Sequence, residues 1–368
     1  MTSGEAGSAV HVRFAGVSKH YGTAVQAVRD LNLDVMRGEF LTLLGPSGSG
    51  KTTSLMMLAG FEEPTEGEIL VDGRRIDNVP PNSRGIGMVF QNYALFPHMT
   101  VAENLAFPLQ VRRIGKAEIE TRVAAVLDMV RLPSLGGRRP DQLSGGQQQR
   151  IAVARALIFR PTLVLMDEPL GALDKQLREQ MQYEIKEIHA RLGVTFVYVT
   201  HDQTEALTMS DRIAVFDSGT VQQLSDPATL YERPQTRFVA GFIGENNRLE
   251  GVVEAIDGPH VNIRLGSGTA ILALAVGAGV ARQGAPVILS LRPERLALLS
   301  GDEQAHNVLD AAIRQIVYVG DHIRVVCAVD GVGTLIAKIP NRSGLQGLSV
   351  GAAARLGWRT EDCLALDP

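Results

Sequence analysis

The chain has 368 residues, a formal charge of −4, 45% hydrophobic residues and 21% charged residues. That length suits roughly two domains with separate cores, and the composition is that of a soluble globular protein. The mildly acidic balance gives no electrostatic case for a nucleic-acid partner.

Residues 1–10 are small and polar and lack the basic start and apolar core of a signal peptide, so they are expected to form a flexible tail. Residues 11–14 alternate like an edge strand, and Lys19-His20-Tyr21-Gly22 reads as a turn. Tyr21 precedes a phosphate loop, so it is read either as a ring on which adenine stacks or as a partly buried core tyrosine. The next strand pair, 31–35 and 40–44, is joined by Met36-Arg37-Gly38-Glu39.

That pair delivers the chain to Gly45-Pro46-Ser47-Gly48-Ser49-Gly50-Lys51-Thr52, a P-loop followed by a helix from Thr53 that stops near Gly60. A triphosphate carries several negative charges, and Gly45, Gly48 and Gly50 let backbone N–H groups approach its oxygens without intervening side chains. The helix start adds its positive dipole end. Lys51 is suited to reach the β- and γ-phosphates, and Thr52 to place its hydroxyl on a bridging Mg²⁺ ion.

Turns at 64–67 and 72–73 bracket a short strand at 68–71, and residues 85–90 form a buried strand ending at Gln91. Gln91 either ligates Mg²⁺ or positions water, or is a plain surface residue. From 100 to 135 the pattern is helical, with Val101, Leu105, Val123, Val126, Leu127 and Val130 at spacings of three and four, until Pro133, Gly136, Gly137 and Pro140 break it. Leu143-Ser144-Gly145-Gly146-Gln147 then opens a helix reaching Phe159. With Ser144 as N-cap and two glycines exposing amides, this is a second anion-binding helix start in the same chain.

Residues 162–166 make an uncharged apolar strand that ends in Asp167-Glu168-Pro169. Consecutive carboxylates at the mouth of a buried strand are costly unless a cation or a reaction needs them. Asp167 suits the outer shell of Mg²⁺, and Glu168 suits a base that polarises attacking water. Gly171-Ala172-Leu173-Asp174 leads into a helix over 175–192, and the strand 195–200 delivers His201 to its end, where open α/β sheets place ligand-binding groups. A helix at 203–209 and a strand pair at 212–221 follow.

From residue 245 the character changes. Short β-rich runs at 287–291, 312–319, 324–329 and 334–339, separated by Gly and Asp-Gly turns, read as a small barrel. Cys327 and Cys363 lie here without metal-ligand spacing and are expected to pack as small apolar residues in a reduced compartment. The uncharged stretch 266–281 is too short to span a bilayer and is interrupted by glycines, so the chain is not expected to cross a membrane by itself.

The order Tyr21, P-loop, Gln91, Leu143 to Gln147, Asp167-Glu168, Asp174, His201 resembles the ATP-binding subunits of ABC transporters over about residues 12–244. The resemblance implies an α/β fold, a P-loop NTPase domain at 11–244 with a helical subdomain at about 92–160. It implies ATP and Mg²⁺ as ligands, Tyr21 as the adenine-stacking aromatic, residues 45–52 as the Walker A loop and Gln91 as a metal and water contact. Asp167 becomes the Walker B acid, Glu168 the catalytic base, His201 the switch histidine and Asp174 part of the D-loop; Gly171 departs from the serine common there. Residues 245–368 resemble the accessory OB-like TOBE barrel of importer ATPases, on Phe242-Ile243-Gly244-Glu245-Asn246-Asn247 and Arg292-Pro293-Glu294.

By the same resemblance two copies face head to tail, so that Ser144, Gly145, Gly146 and Gln147 of one close over the γ-phosphate held by Lys51 of the other. The region 91–109 resembles the surface that receives a membrane subunit. The implied protein is a peripheral ATPase on the cytoplasmic face of the membrane, working with a permease and a solute-binding protein and with no nucleic acid. Residues 242–249 and 357–362 look most like polyamine (spermidine/putrescine) importers, with ferric iron, sugars, phosphonates and sulfate as other solutes. A soluble ABC ATPase is the rival; one P-loop and one signature sequence without a long coiled coil disfavour it.

Overall fold

The computed structural model describes residues 9–22, 25–277, 279–280, 282–300, 303–341 and 348–368. The expected tail falls, through residue 8, outside them. The chain forms two compact units, Met1–Pro227 and Ala228–Pro368.

The first unit begins with β1 (Val10–Tyr21), β2 (Val25–Met36), β3 (Phe40–Leu44), α1 (Lys51–Ala59), β4 (Glu66–Val71), β5 (Arg74–Arg75) and β6 (Gly87–Val89). It continues through α2 (Val101–Val111), α3 (Lys116–Met129), α4 (Gly145–Leu157), β7 (Leu163–Asp167), α5 (Lys175–Leu192), β8 (Thr195–Thr200), α6 (Gln203–Met209), β9 (Arg212–Asp217) and β10 (Thr220–Ser225). One sheet has the order β10-β9-β3-β8-β7-β6, parallel except for β10. Its central strands β3, β7 and β8 are buried along their whole length, which is why they read as uncharged apolar runs.

The second sheet, β2-β1-β4-β5, is antiparallel. Three expectations change here. β1 is central, not an edge, because Phe14 faces Leu33 on one side and Ile69 on the other. Lys19, His20 and Tyr21 remain in that strand, opposite Val28, Gln26 and Val25, and the chain turns only at Gly22, whose φ is +61°. The segments 31–35 and 40–44 do not pair with each other: they enter different sheets, because β2 buries alternate residues while β3 is buried on both faces.

The helical stretch expected from 100 to 135 is two helices, α2 and α3, separated where Arg113 takes a left-handed φ of +59°. Leu105, Leu109, Val123 and Leu127 form a core with Ile151 and Ala154 of α4. The opposite side of α4, with Ala152, Val153 and Ala156, packs against Val164, Met166 and Phe196 of the parallel sheet. One helix therefore ties the helical layer to the sheet.

Among its described residues the second unit holds α7 (Pro227–Glu232), α8 (Arg237–Phe242) and ten strands: β11 (Asn247–Asp257), β12 (His260–Leu265), β13 (Ala270–Val276), β14 (Pro286–Leu291), β15 (Ala297–Leu299), β16 (Asn307–Tyr318), β17 (His322–Val329), β18 (Gly333–Pro340), β19 (Ala353–Trp358) and β20 (Cys363–Leu366). A closed barrel, β11-β12-β13-β20-β14, stands beside a five-stranded sheet, β15-β19-β16-β17-β18. Of the four runs read as barrel strands, only 287–291 lies in the closed barrel; the other three belong to the neighbouring sheet. Period-two alternation reports a half-buried strand and not its partner, so the two sheets look alike in sequence.

The unit starts earlier than the expected junction after Gly244. Buried Arg292 explains this: its guanidinium donates to the carbonyls of Tyr231, Ala240, Ile243 and Glu245, fastening the helical segment to the barrel. Cys327 and Cys363 are buried and unbridged. Burial pushes the Cys363 thiol up to about 12, so it stays protonated. Among the described residues no helix is long and apolar enough to cross a membrane.

Candidate functional site

The parallel strands β3, β6, β7 and β8 end on one side of their sheet, and each delivers a residue singled out in the sequence. β3 leads into the phosphate loop. Two of its glycines are required by the backbone of neighbouring segments: a Cβ on Gly45 would lie 2.3 Å from the Phe216 carbonyl oxygen, and one on Gly50 would lie 2.4 Å from that of Ala27. Gly48, at φ +78°, has open space where its Cβ would be. The loop thus has a wall set by packing and a rim left open for a ligand. Pro46 is half-buried and Ser47 is exposed on that rim, while Ser49 is buried.

Lys51 lies in the first turn of α1 and is 4% exposed. Its Nζ donates to the carbonyls of Gly45 at 2.9 Å and Pro46 at 2.8 Å, with Ser49 Oγ at 3.4 Å. Burial lowers its pKa, against the opposing charges of Glu168 and Asp167. Thr52 exposes its hydroxyl and donates it to Asp167 Oδ1 at 3.1 Å, and Thr53 is half-buried one step along. At its far end α1 closes on Gly60 at φ +89°, as expected. A Cβ there would collide with Arg84, whose guanidinium donates to the carbonyls of Met57 and Leu58.

Asp167 ends β7 with 8% exposure, and burial raises its pKa from the ordinary carboxylate value. Glu168 follows with a left-handed φ of +44°, a conformation non-glycine residues seldom take. That turn aims its carboxylate along the strand ends. Oε2 accepts from Gln91 Nε2 at 3.4 Å, and Oε1 lies 3.2 Å from His201 Nδ1. Gln91, Glu168 and His201, far apart in sequence, therefore form one chain of contacts, and Lys51, Thr52 and Asp167 lie beside it.

Ser144, Gly145, Gly146 and Gln147 stand apart from that group. Among the described residues no hydrogen bond joins them to Lys51 or Glu168. Ser144 caps α4 as expected, with a reciprocal pair of bonds: Gln147 N donates to Ser144 Oγ at 3.4 Å and Ser144 N donates to Gln147 Oε1 at 3.0 Å. The glycines also serve packing, since a Cβ on Gly145 would touch Leu173 and one on Gly146 would press on Leu177 at 3.0 Å. Asp174 caps α5, accepting from Leu177 N at 3.0 Å. Tyr21 is 44% exposed, with the Lys19 ammonium 5.1 Å from its ring centroid.

Behind His201 lies a network the sequence reading missed. Glu205, 3% exposed, accepts from Tyr198 Oη and Thr200 Oγ1, both at 2.7 Å, and Thr200 Oγ1 accepts from Asp202 N at 3.0 Å. Arg178 on α5 donates to Asp202 Oδ2 at 3.2 Å and to the Leu173 carbonyl at 3.0 Å. The turn carrying His201 is thereby pinned to the segment before α5. The visible signal was Asp202 followed three residues later by Glu205, a capping pattern in which the glutamate turns inward instead.

The ABC transporter family model matches residues 28–171, and the TOBE domain model matches residues 289–366. The spermidine/putrescine import ATP-binding protein PotA of Rubrobacter xylanophilus is 49% identical over 98% of this chain and 95% of its own length. Its counterpart in Thermobifida fusca is 46% identical over 95% of this chain and 92% of its own. A dimeric ATP-binding cassette solved in a post-hydrolysis state bound to ADP and Pi matches with a TM-score of 0.54 and 34% identity, covering 59% of this chain and 98% of that one. Since the likeness runs through both units and is not confined to the phosphate loop, the chain belongs to the ABC transporter family, among its ATP-binding proteins.

Proposed function

We propose that this chain is the ATP-hydrolysing subunit of an importer that takes up a polyamine, spermidine or putrescine. The observation that carries the catalytic part is the convergence of Lys51, Thr52, Asp167, Glu168, Gln91 and His201 at the carboxyl ends of four parallel strands beside an open glycine rim. The solute rests on the relatives, which are named for spermidine and putrescine import.

The residues fit a Mg²⁺–triphosphate pair. The rim at Gly48 has room for phosphate oxygens, Lys51 brings a buried ammonium, and Thr52 with Asp167 offers two oxygens to a hard cation. Thr52 and Asp167 would hold a Mg²⁺ ion, which would supply positive charge to offset that of the triphosphate. Tyr21, Gly45, Pro46, Ser47, Ser49, Gly50 and Thr53 complete the nucleotide contacts. Glu168 accepts the proton of a water that attacks the γ-phosphorus as the bond to the bridging oxygen breaks, giving ADP and phosphate. Gln91 and His201 hold the Glu168 carboxylate in place for that step.

Ser144, Gly145, Gly146, Gln147 and Asp174 serve the nucleotide of a second copy, which accounts for a capped helix start that is exposed at Ser144 and Gly145, though not at buried Gly146, and that makes no hydrogen bond to Lys51 among the described residues. The permease docks at the 91–109 region. There a cavity of about 390 Å³ is lined by Phe90, Phe96 and Phe107 and braced by Arg155, which donates to the Tyr93 and Ala94 carbonyls. The subunit works at the cytoplasmic face of the membrane, and a solute-binding protein delivers the cargo through the permease.

The test is uptake of labelled spermidine and putrescine by cells whose copy of the gene carries Lys51→Ala. Loss of polyamine uptake supports the assignment. Unchanged polyamine uptake with loss of ferric iron, sugar or oxyanion uptake reassigns the solute, and unchanged uptake of all of them rejects the importer reading.

A further inference from the structure

At the end of the parallel sheet opposite the phosphate loop, where β7 and β8 begin, the first unit contains a cavity of about 580 Å³. α3, the end of α4 and the turn after α5 enclose it. Val126, Met129, Leu157, Ile158, Pro161 and Val194 make an apolar floor. Arg37, Arg122, Arg160 and Arg191 line it too, and no Asp or Glu does, in a chain with 40 acidic and 36 basic residues.

Two of these arginines are already engaged, Arg122 by Glu118 and Arg37 by Asp72. Arg160 and Arg191 have no ion-pair partner among the described residues. Both stand at the carbonyl ends of helices, Arg160 after α4 and Arg191 in the last turn of α5, where a cation is favoured. That preference accounts for the two charges. It does not account for a concave apolar surface left open between them.

We propose that this cavity binds a small amphipathic anion, an oxyanion head carried on an apolar body. Its volume falls within the range of about 300–1,000 Å³ in which small ligands are enclosed. Guanidinium groups match planar carboxylate and tetrahedral phosphate with paired N–H donors, and the apolar floor takes the ligand's body. The site shares no residue with the nucleotide machinery, so its occupant acts on a separate face of the same domain.

Dodecanoate, with dodecyltrimethylammonium as a cation of matched chain length, tests this in calorimetric titrations of the full-length protein below micellar concentrations. Arg160, Arg191 and Ala125 are exposed, so substitutions there spare the core. Dodecanoate binds at one site per chain, the double variant Arg160→Ala/Arg191→Ala weakens it by at least about tenfold, Ala125→Trp on the cavity wall abolishes it, and the cation does not bind. Absence of dodecanoate binding to the unmodified protein, equal binding to both variants, or equal affinity for anion and cation overturns the proposal.

Discussion

Glu168 holds its carboxylate between Gln91 and His201 only because its backbone takes a left-handed φ of +44°, with its N–H donating to the Val199 carbonyl at 3.0 Å. Backbone strain of this kind, of order 1–3 kcal/mol, persists where neighbouring structure over-determines it. Glu168→Gln keeps that geometry and removes the proposed proton acceptor. Turnover should fall by roughly 10²–10⁴-fold with ATP affinity retained, as read by phosphate release and equilibrium nucleotide binding. Asp167 offers a test in the other direction. Burial raises its folded pKa above the unfolded value, so the stability it contributes is present at acid pH and is lost as pH rises through the raised value. At neutral pH the buried charge is a cost, and Asp167→Asn should raise the melting temperature by about 2–4 °C while activity is lost. That gain should vanish below the ordinary carboxylate range, and a lower melting temperature at neutral pH would contradict the argument. The placement of Lys51, Asp167 and Glu168 beside one another was legible because their motifs follow apolar strands. Arg178 and Glu205 were not, because whether a polar side chain turns inward depends on which neighbours the fold brings to it.

At the scale of elements, strands buried on both faces announce themselves as uncharged runs, and β7, α5 and β8 were readable nearly to the residue. Pairing was not readable. The segments 31–35 and 40–44 looked like partners because they are consecutive, but one completes an antiparallel sheet and the other enters the parallel one. The C-terminal strands alternate alike whether they close the barrel or build the sheet beside it. The junction between β8 and α6 shows how elements set the site: Tyr198, Thr200 and Asp202 are locked to Glu205 and Arg178 around the His201 turn. Glu205→Ala should leave the Tyr198 and Thr200 hydroxyls without their acceptor. The expected cost is about 1–3 kcal/mol for each orphaned group, measured by urea unfolding. A loss of less than a few tenths of a kcal/mol would show that the network holds nothing in place.

For the whole molecule, two helix starts suited to anions were visible in the sequence, and among the described residues no hydrogen bond joins the second, at Ser144, to Lys51 or Glu168. The proposed head-to-tail pairing of two chains would bring Ser144 and its glycines to the partner's nucleotide and so complete two sites. On the proposed reading ATP joins two copies because it touches both, and its hydrolysis releases them, a switch that works only through differential contacts to the γ-phosphate. Glu168→Gln should trap the joined state by slowing hydrolysis. The most direct measurement is the molar mass of the Glu168→Gln protein by light scattering with Mg²⁺–ATP and with Mg²⁺–ADP. A dimer with ATP that reverts to monomer with ADP is the predicted result. A mass that does not depend on which nucleotide is present would contradict the shared site and the transport cycle built on it.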